Sequence, residues 1–144
     1  MQTSGYIEAR MDCLPALLTA VIDQFASPQT RLALWLIEPF DFAPIQAQPL
    51  GAASPLIGSS SELAGLGQLI DFKAVDTPAL IAALTAEEAL DCQIMHLELE
   101  ALGSVQFAAY DNFSAIFFGD AVPLDWLDTL KARAIIVDYQ CAEP

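Results

Sequence analysis

A chain of 144 residues is the size of one domain, long enough to bury a core without a disulfide or metal staple. Nineteen Asp and Glu against five Lys and Arg give a formal net charge of −14, a field that repels phosphate backbones and anionic headgroups. It argues for no nucleic-acid and no membrane binding, and for attraction to a basic protein partner. Hydrophobic residues make up 55% of the chain, above the roughly 45–50% usual in soluble domains, so the surplus enters a very apolar core or an exposed patch.

Met1 to Arg10 has no basic segment followed by an apolar run, so it does not read as a secretory signal. The aliphatic runs Leu32–Ile37 and Ala79–Leu84 are far shorter than a membrane span. Cys13, Cys92 and Cys141 form neither a CxxC pair nor an even framework, which suits reduced thiols and a cytoplasmic location.

In chain order, Leu14, Leu17, Leu18, Val21, Ile22 and Phe25 recur at helical spacing and predict a helix over 12–25, with Asp12 as its cap and Ser27-Pro28 as its stop. Arg31–Ile37 is a continuous apolar run of strand length and reads as a central strand buried on both faces. A proline-rich loop over 39–61 carries no charge between Asp41 and Glu62, and reads as a lid over the core or a partner-binding arm. The middle is ambiguous. Ser59-x-x-Glu62 and Thr85-x-x-Glu88 match capping boxes, and 68–75 has strand character. Thr77-Pro78 reads as a cap and first position of a helix over 77–84.

The C-terminal half predicts a three-stranded meander over 93–118. A three-residue loop 101–103 would pair Leu99 with Val105, Leu97 with Phe107 and Met95 with Ala109. A two-residue turn at Asp111-Asn112 would pair Phe107 with Ile116 and Val105 with Phe118. A helix over 123–131 with Trp126, Leu127 and Leu130 on its apolar side follows, then a strand over 134–139. The expected fold is a single α+β domain over 1–144, an antiparallel sheet with helices packed mainly on one face.

Catalytic signatures are missing: there is no GxGxxG, P-loop, GxSxG or HExxH. A single histidine, His96, rules out a multi-histidine metal centre within one copy. Cys13, at a helix start, is the one thiol with any positive field to lower its pKa. The expectation is no catalytic residue, no metal and no cofactor.

The alternation places His96, Glu98, Glu100, Gln106, Tyr110, Phe113 and Phe117 on the outer face of the meander. Either a helix covers its aromatic end, or the face is a contact surface. In the second case Glu98 and Glu100 steer a basic partner while Tyr110, Phe113 and Phe117 supply the buried contact. The run Tyr110-Asp111-Asn112-Phe113 through Val122-Pro123 to Leu127 and Leu130 resembles small acidic bacterial immunity proteins, and the resemblance carries no functional residue across. The leading expectation is thus a small acidic binding protein, such as an inhibitor or immunity protein. The alternatives are a structural homo-oligomer held by self-association, and a small enzyme or ligand-binding domain with a pocket under the 39–61 loop.

Overall fold

The computed structural model describes residues 4–36, 48–49, 67–73, 75–86 and 94–142. In chain order these form β1 (Gly5–Glu8), α1 (Leu14–Phe25), β2 (Arg31–Leu36), β3 (Gln48–Pro49), β4 (Gly67–Asp71), α2 (Thr77–Leu84), β5 (Ile94–Ala101), β6 (Ser104–Tyr110), β7 (Ala115–Phe118), α3 (Leu124–Ala132) and β8 (Asp138–Cys141). The strands make one sheet in the order β3-β4-β2-β5-β6-β7-β1-β8. Every neighbouring pair is antiparallel, so the chain is an α+β fold.

All three helices lie against one face. Leu17, Leu18, Ile22, Leu80, Leu84, Leu127 and Leu130 share one buried cluster with Leu32, Leu34, Ile70, Leu97, Leu99, Phe107, Ile116 and Phe118 of the strands. Burial of such aliphatic and aromatic groups is the main stabilising term. β2 runs through the interior of the sheet, with Leu32, Ala33, Leu34 and Trp35 all buried, as its unbroken apolar run predicts.

The ends of the helices follow local chemistry, with adjustments. A short 3-10 turn over Met11–Cys13 leads into α1, whose cap position is Cys13, while Asp12 pairs with Arg10 at 3.4 Å. Asp76, not Thr77, caps α2 by accepting from the Ala79 amide at 3.3 Å. α3 ends at a residue of positive φ, Ala134 (59°), after which the amides of Ile135 and Ile136 both return to the Leu130 carbonyl. This reversal, typical of helix C-termini, spends Ala134–Ile136 on closing the helix, and the Val137 amide then donates to the Glu8 carbonyl at 2.8 Å. The final strand is therefore Asp138–Cys141 and not 134–139.

The meander is present, but neither turn has the predicted register. β5 and β6 are joined by a two-residue turn, Leu102-Gly103, with φ of 55° and 88°, the left-handed pair that suits a tight hairpin. Such a turn alone would put Glu98 opposite Phe107. A bulge between Leu99 and Glu100 corrects it, so that Leu99 faces Phe107, Glu98 faces Ala108 and Leu97 faces Ala109. The residue the bulge admits is Gln106, fully buried and held on all sides. Its Nε2 donates to the Ala101 carbonyl at 3.1 Å, the Ser104 hydroxyl at 2.8 Å and Asp120 at 3.2 Å; its Oε1 accepts from the Ala121 amide at 2.8 Å. A second irregularity beside Trp35 sets Ile94, not Met95, on the core side of β5.

Between β6 and β7 the turn has four residues, 111–114, and pairs Phe107 with Phe118 and Ala109 with Ile116. Asp111, Asn112 and Phe113 all have positive φ, at 51°, 55° and 65°. The left-handed run folds the turn back over the start of β5, where the Asn112 amide donates to Met95 at 2.8 Å and its Nδ2 to Ile94 at 3.0 Å.

β1 had no strong pattern in the sequence, yet it bridges the meander to the edge by pairing with both β7 and β8. Gly5 permits this: a Cβ there would stand 2.2 Å from the Gln140 carbonyl and 2.4 Å from the Phe118 ring. The 39–61 loop, apart from Gln48–Pro49, lies outside the described residues, as do Ser59, Glu62, Glu88 and Cys92 of the sequence reading.

Candidate functional site

The alternation of β2 places Arg31, Ala33 and Trp35 on the sheet face away from the helices, because Leu32 and Leu34 face the core. Cross-strand pairing then extends this face. Ala33 stands opposite Glu98, Glu98 opposite Ala108, Ala108 opposite Phe117, Phe117 opposite Tyr6 and Tyr6 opposite Gln140. Beside that row runs an aromatic one. Trp35 meets His96 edge-on at 6.2 Å between ring centres, His96 meets Tyr110 at 5.5 Å, and Tyr110 meets Phe117 at 5.9 Å. Such edge-to-face and tilted contacts are the geometry aromatic rings prefer.

The five residues singled out from the sequence separate into three groups. Glu98, Tyr110 and Phe117 come together on the outer face. The Tyr110 hydroxyl donates to Glu98 Oε1 at 2.6 Å, and both Tyr110 and Phe117 are half-buried. Glu100 lies one row away and is held by Arg31, whose Nε and Nη2 donate to its Oε1 at 3.1 and 2.6 Å. Phe113 is not on this face. The left-handed turn swings it into the core, where it is 6% exposed, because the strand alternation that placed it outside ends at Tyr110. Gln106 also leaves the face for the bulge network.

Electrostatics within the site are uneven. Glu98 is 9% exposed, and burial raises its carboxyl above the ordinary glutamate range while the Tyr110 hydrogen bond, and after it the positive charge of the N-terminus, oppose the rise. Burial, followed by the bond to Glu98, also raises the Tyr110 phenol. Glu98 Oε2 accepts no hydrogen bond among the described residues, and no lysine or arginine there forms an ion pair with it. His96 Nδ1 accepts from the Asp111 amide at 3.2 Å, tying the β6–β7 turn to the aromatic row. Trp35 is 2% exposed, and its indole Nε1 is a buried donor with no acceptor.

Trp35, Arg31 and Tyr6 were not among the residues expected at the site. Trp35 was hidden inside an apolar run that reads equally well as core. Arg31 and Tyr6 join the face only because β2 packs beside β5 and β1 beside β7, which no local pattern announces. Cys13 is half-buried, with Arg10 Nη2 3.5 Å from its sulfur and the Ala134 carbonyl 3.6 Å away. Among the described residues no three His, Cys, Asp or Glu side chains converge as metal ligands, and no helix is long and apolar enough to cross a membrane. No protein-family model, no curated protein and no solved structure matches the chain.

Proposed function

We propose that the chain is a small acidic binding module that docks onto a basic protein partner through the outer sheet face, in the manner of an inhibitor or immunity protein. The observation that carries this reading is the half-buried run of His96, Tyr110 and Phe117, with Tyr6 opposite Phe117 and 46% exposed on the sheet face away from the helices. Tyrosine and phenylalanine next to a polar rim are enriched in contact surfaces, and their desolvation supplies most of the affinity. Steering is assigned to the net charge of −14 and to the exposed carboxylates at the rim, Glu8 and Asp111, since Glu100 is engaged by Arg31 and Glu98 is buried.

The test is retention by the immobilised full chain of a strongly basic protein from an extract of its source cells, released by high salt. With that protein purified, Phe117→Ala and Tyr6→Ala should each speed dissociation by an amount equivalent to about 2 kcal/mol. Glu8→Lys with Asp111→Lys should slow association and flatten its salt dependence. Retention no better than on an unrelated acidic protein sinks the reading. Self-association has one observation of its own, the edge strand β8 with Gln140 and Cys141 exposed. A dimer in sedimentation that is lost when Gln140 becomes proline would favour it instead.

A further inference from the structure

β8 ends the described sheet on the side of β1, and its residues Gln140 and Cys141 are exposed. The Ala142 amide donates to the Ser4 carbonyl at 2.7 Å, so the main-chain bonds to β1 fall at alternate residues, and Tyr139 and Cys141 direct their N–H and C=O groups away from it. Such an open row is a template for another strand, which would set a carbonyl oxygen about 2.9 Å from the Tyr139 amide. That place is taken. Asp138 Oδ1 accepts from the Tyr139 amide at 2.9 Å and, at the same oxygen, from Lys131 Nζ at 3.0 Å. By alternation Asp138 belongs to the outer row, opposite Glu8, whereas Lys131 comes from α3 on the helix side, so the pair reaches around the edge of β8. The Lys131 bond first, and the Tyr139 amide after it, hold the Asp138 carboxyl below the ordinary aspartate range, which keeps it ionised and in place at neutral pH. The pair is exposed and adds little to stability; its effect lies in where it sits.

We propose that the Lys131–Asp138 pair closes the β8 edge to strand addition, and that the edge takes β8 of a second copy of this chain once the pair is broken. Two copies running antiparallel about Gln140 would set Tyr139 of each against Cys141 of the other, pairing the outward N–H and C=O groups of both residues. A second copy is the occupant because β8 is its own complement in this two-fold arrangement. The net charge of −14 on each copy opposes the contact without preventing it, since repulsion between exposed charges is screened over about 8 Å at physiological salt. A local closure is therefore needed. The inference stands apart from the docking reading, which uses the outer face and not the edge.

The experiment is sedimentation of the full chain over a range of concentrations at physiological salt, with reductant present so that a disulfide through the exposed Cys141 cannot mimic a dimer. The parent should stay monomeric. Asp138→Ala should dimerise at least about tenfold more tightly than any association of the parent, the scale of one or two net main-chain hydrogen bonds. Lys131→Ala, which leaves Asp138 unanchored, should shift in the same direction by less. Asp23→Ala removes an equal charge from the exposed side of α1 and should behave as the parent. Adding Cys141→Pro to Asp138→Ala should abolish the dimer, because it deletes an outward amide that makes no bond to β1. In dilute, monomeric Asp138→Ala the Tyr139 amide should exchange faster while that of Gln140, on the β1 side, stays protected. A parent that dimerises by itself and becomes monomeric with Cys141→Pro overturns the closure. So does an Asp138→Ala chain that stays monomeric with Gln140 still protected, or an Asp23→Ala chain that dimerises as tightly. If Asp138→Ala does not fold, Lys131→Ala decides, and sedimentation identical to the parent's overturns the proposal.

Discussion

The two faces of the sheet are built from the same strands under opposite rules. On the helix side, Leu32, Leu34, Leu97, Leu99, Phe107 and Phe118 share one apolar cluster, and the polar residue buried at the bulge between β5 and β6, Gln106, is matched by four hydrogen bonds. On the outer side, Glu98 is buried with one hydroxyl partner and Trp35 with an unmatched N–H. The first face is arranged for stability. The second tolerates local electrostatic cost, and sites that tolerate such cost are where recognition is to be sought.

The sharpest way to break this comparison is to truncate one phenylalanine on each face. Phe107→Ala on the helix side should cost about 3–5 kcal/mol in denaturant unfolding, the usual penalty for a large core ring. Phe117→Ala, at a half-buried position, should cost less than half as much and act chiefly on partner binding. Equal losses would erase the distinction between the faces. Gly5→Ala comes next: the new methyl meets the Gln140 carbonyl and the Phe118 ring, and should destabilise by about 1–3 kcal/mol. Amide exchange should then rise in β1 and β8 before the rest of the sheet. A variant as stable as the parent would show that β1 is not clamped there.

Glu98→Gln should do the reverse on the outer face. Because the folded carboxyl holds its proton more tightly than the unfolded one, its contribution is most favourable at low pH and is lost as pH rises through the raised folded value. The glutamine variant should therefore gain stability relative to the parent above the ordinary glutamate range and show no such gain below it. A difference that is flat with pH, measured by chemical unfolding across that interval, would mean that Glu98 is better compensated than its contacts suggest. The smallest effect is expected at a turn that touches neither face. Leu102, 78% exposed with φ of 55°, is a poor residue for a left-handed position, and Leu102→Asn should stabilise by about 0.5–1 kcal/mol in thermal unfolding.

Local chemistry was enough to locate the helices at 14–25, 77–84 and 124–132, the buried strand from Arg31, and three strands in succession from Ile94 to Phe118. Those signals are side-chain periodicities and caps, which act within a few residues. It was also enough to put Glu98, Tyr110 and Phe117 on one face, since alternation persists through a regular strand and a shift of two residues preserves it. Register was not decided locally. The bulge at Gln106 exists because a two-residue turn and apolar pairing of Leu99 with Phe107 are compatible only if one residue is set aside. Phe113 went to the core because three left-handed residues ended the alternation, and nothing in Asp-Asn-Phe requires that conformation without β5 beneath it. The long-range neighbours came from the tertiary structure alone. Arg31 reaches Glu100, Trp35 reaches His96 and Tyr6 reaches Phe117 across strand pairs whose order, β2 beside β5 and β7 beside β1, is set by how all the apolar faces close on one core. Composition determined that this chain would be acidic and rich in apolar residues; which carboxylate would be buried, that of Glu98, was decided by packing.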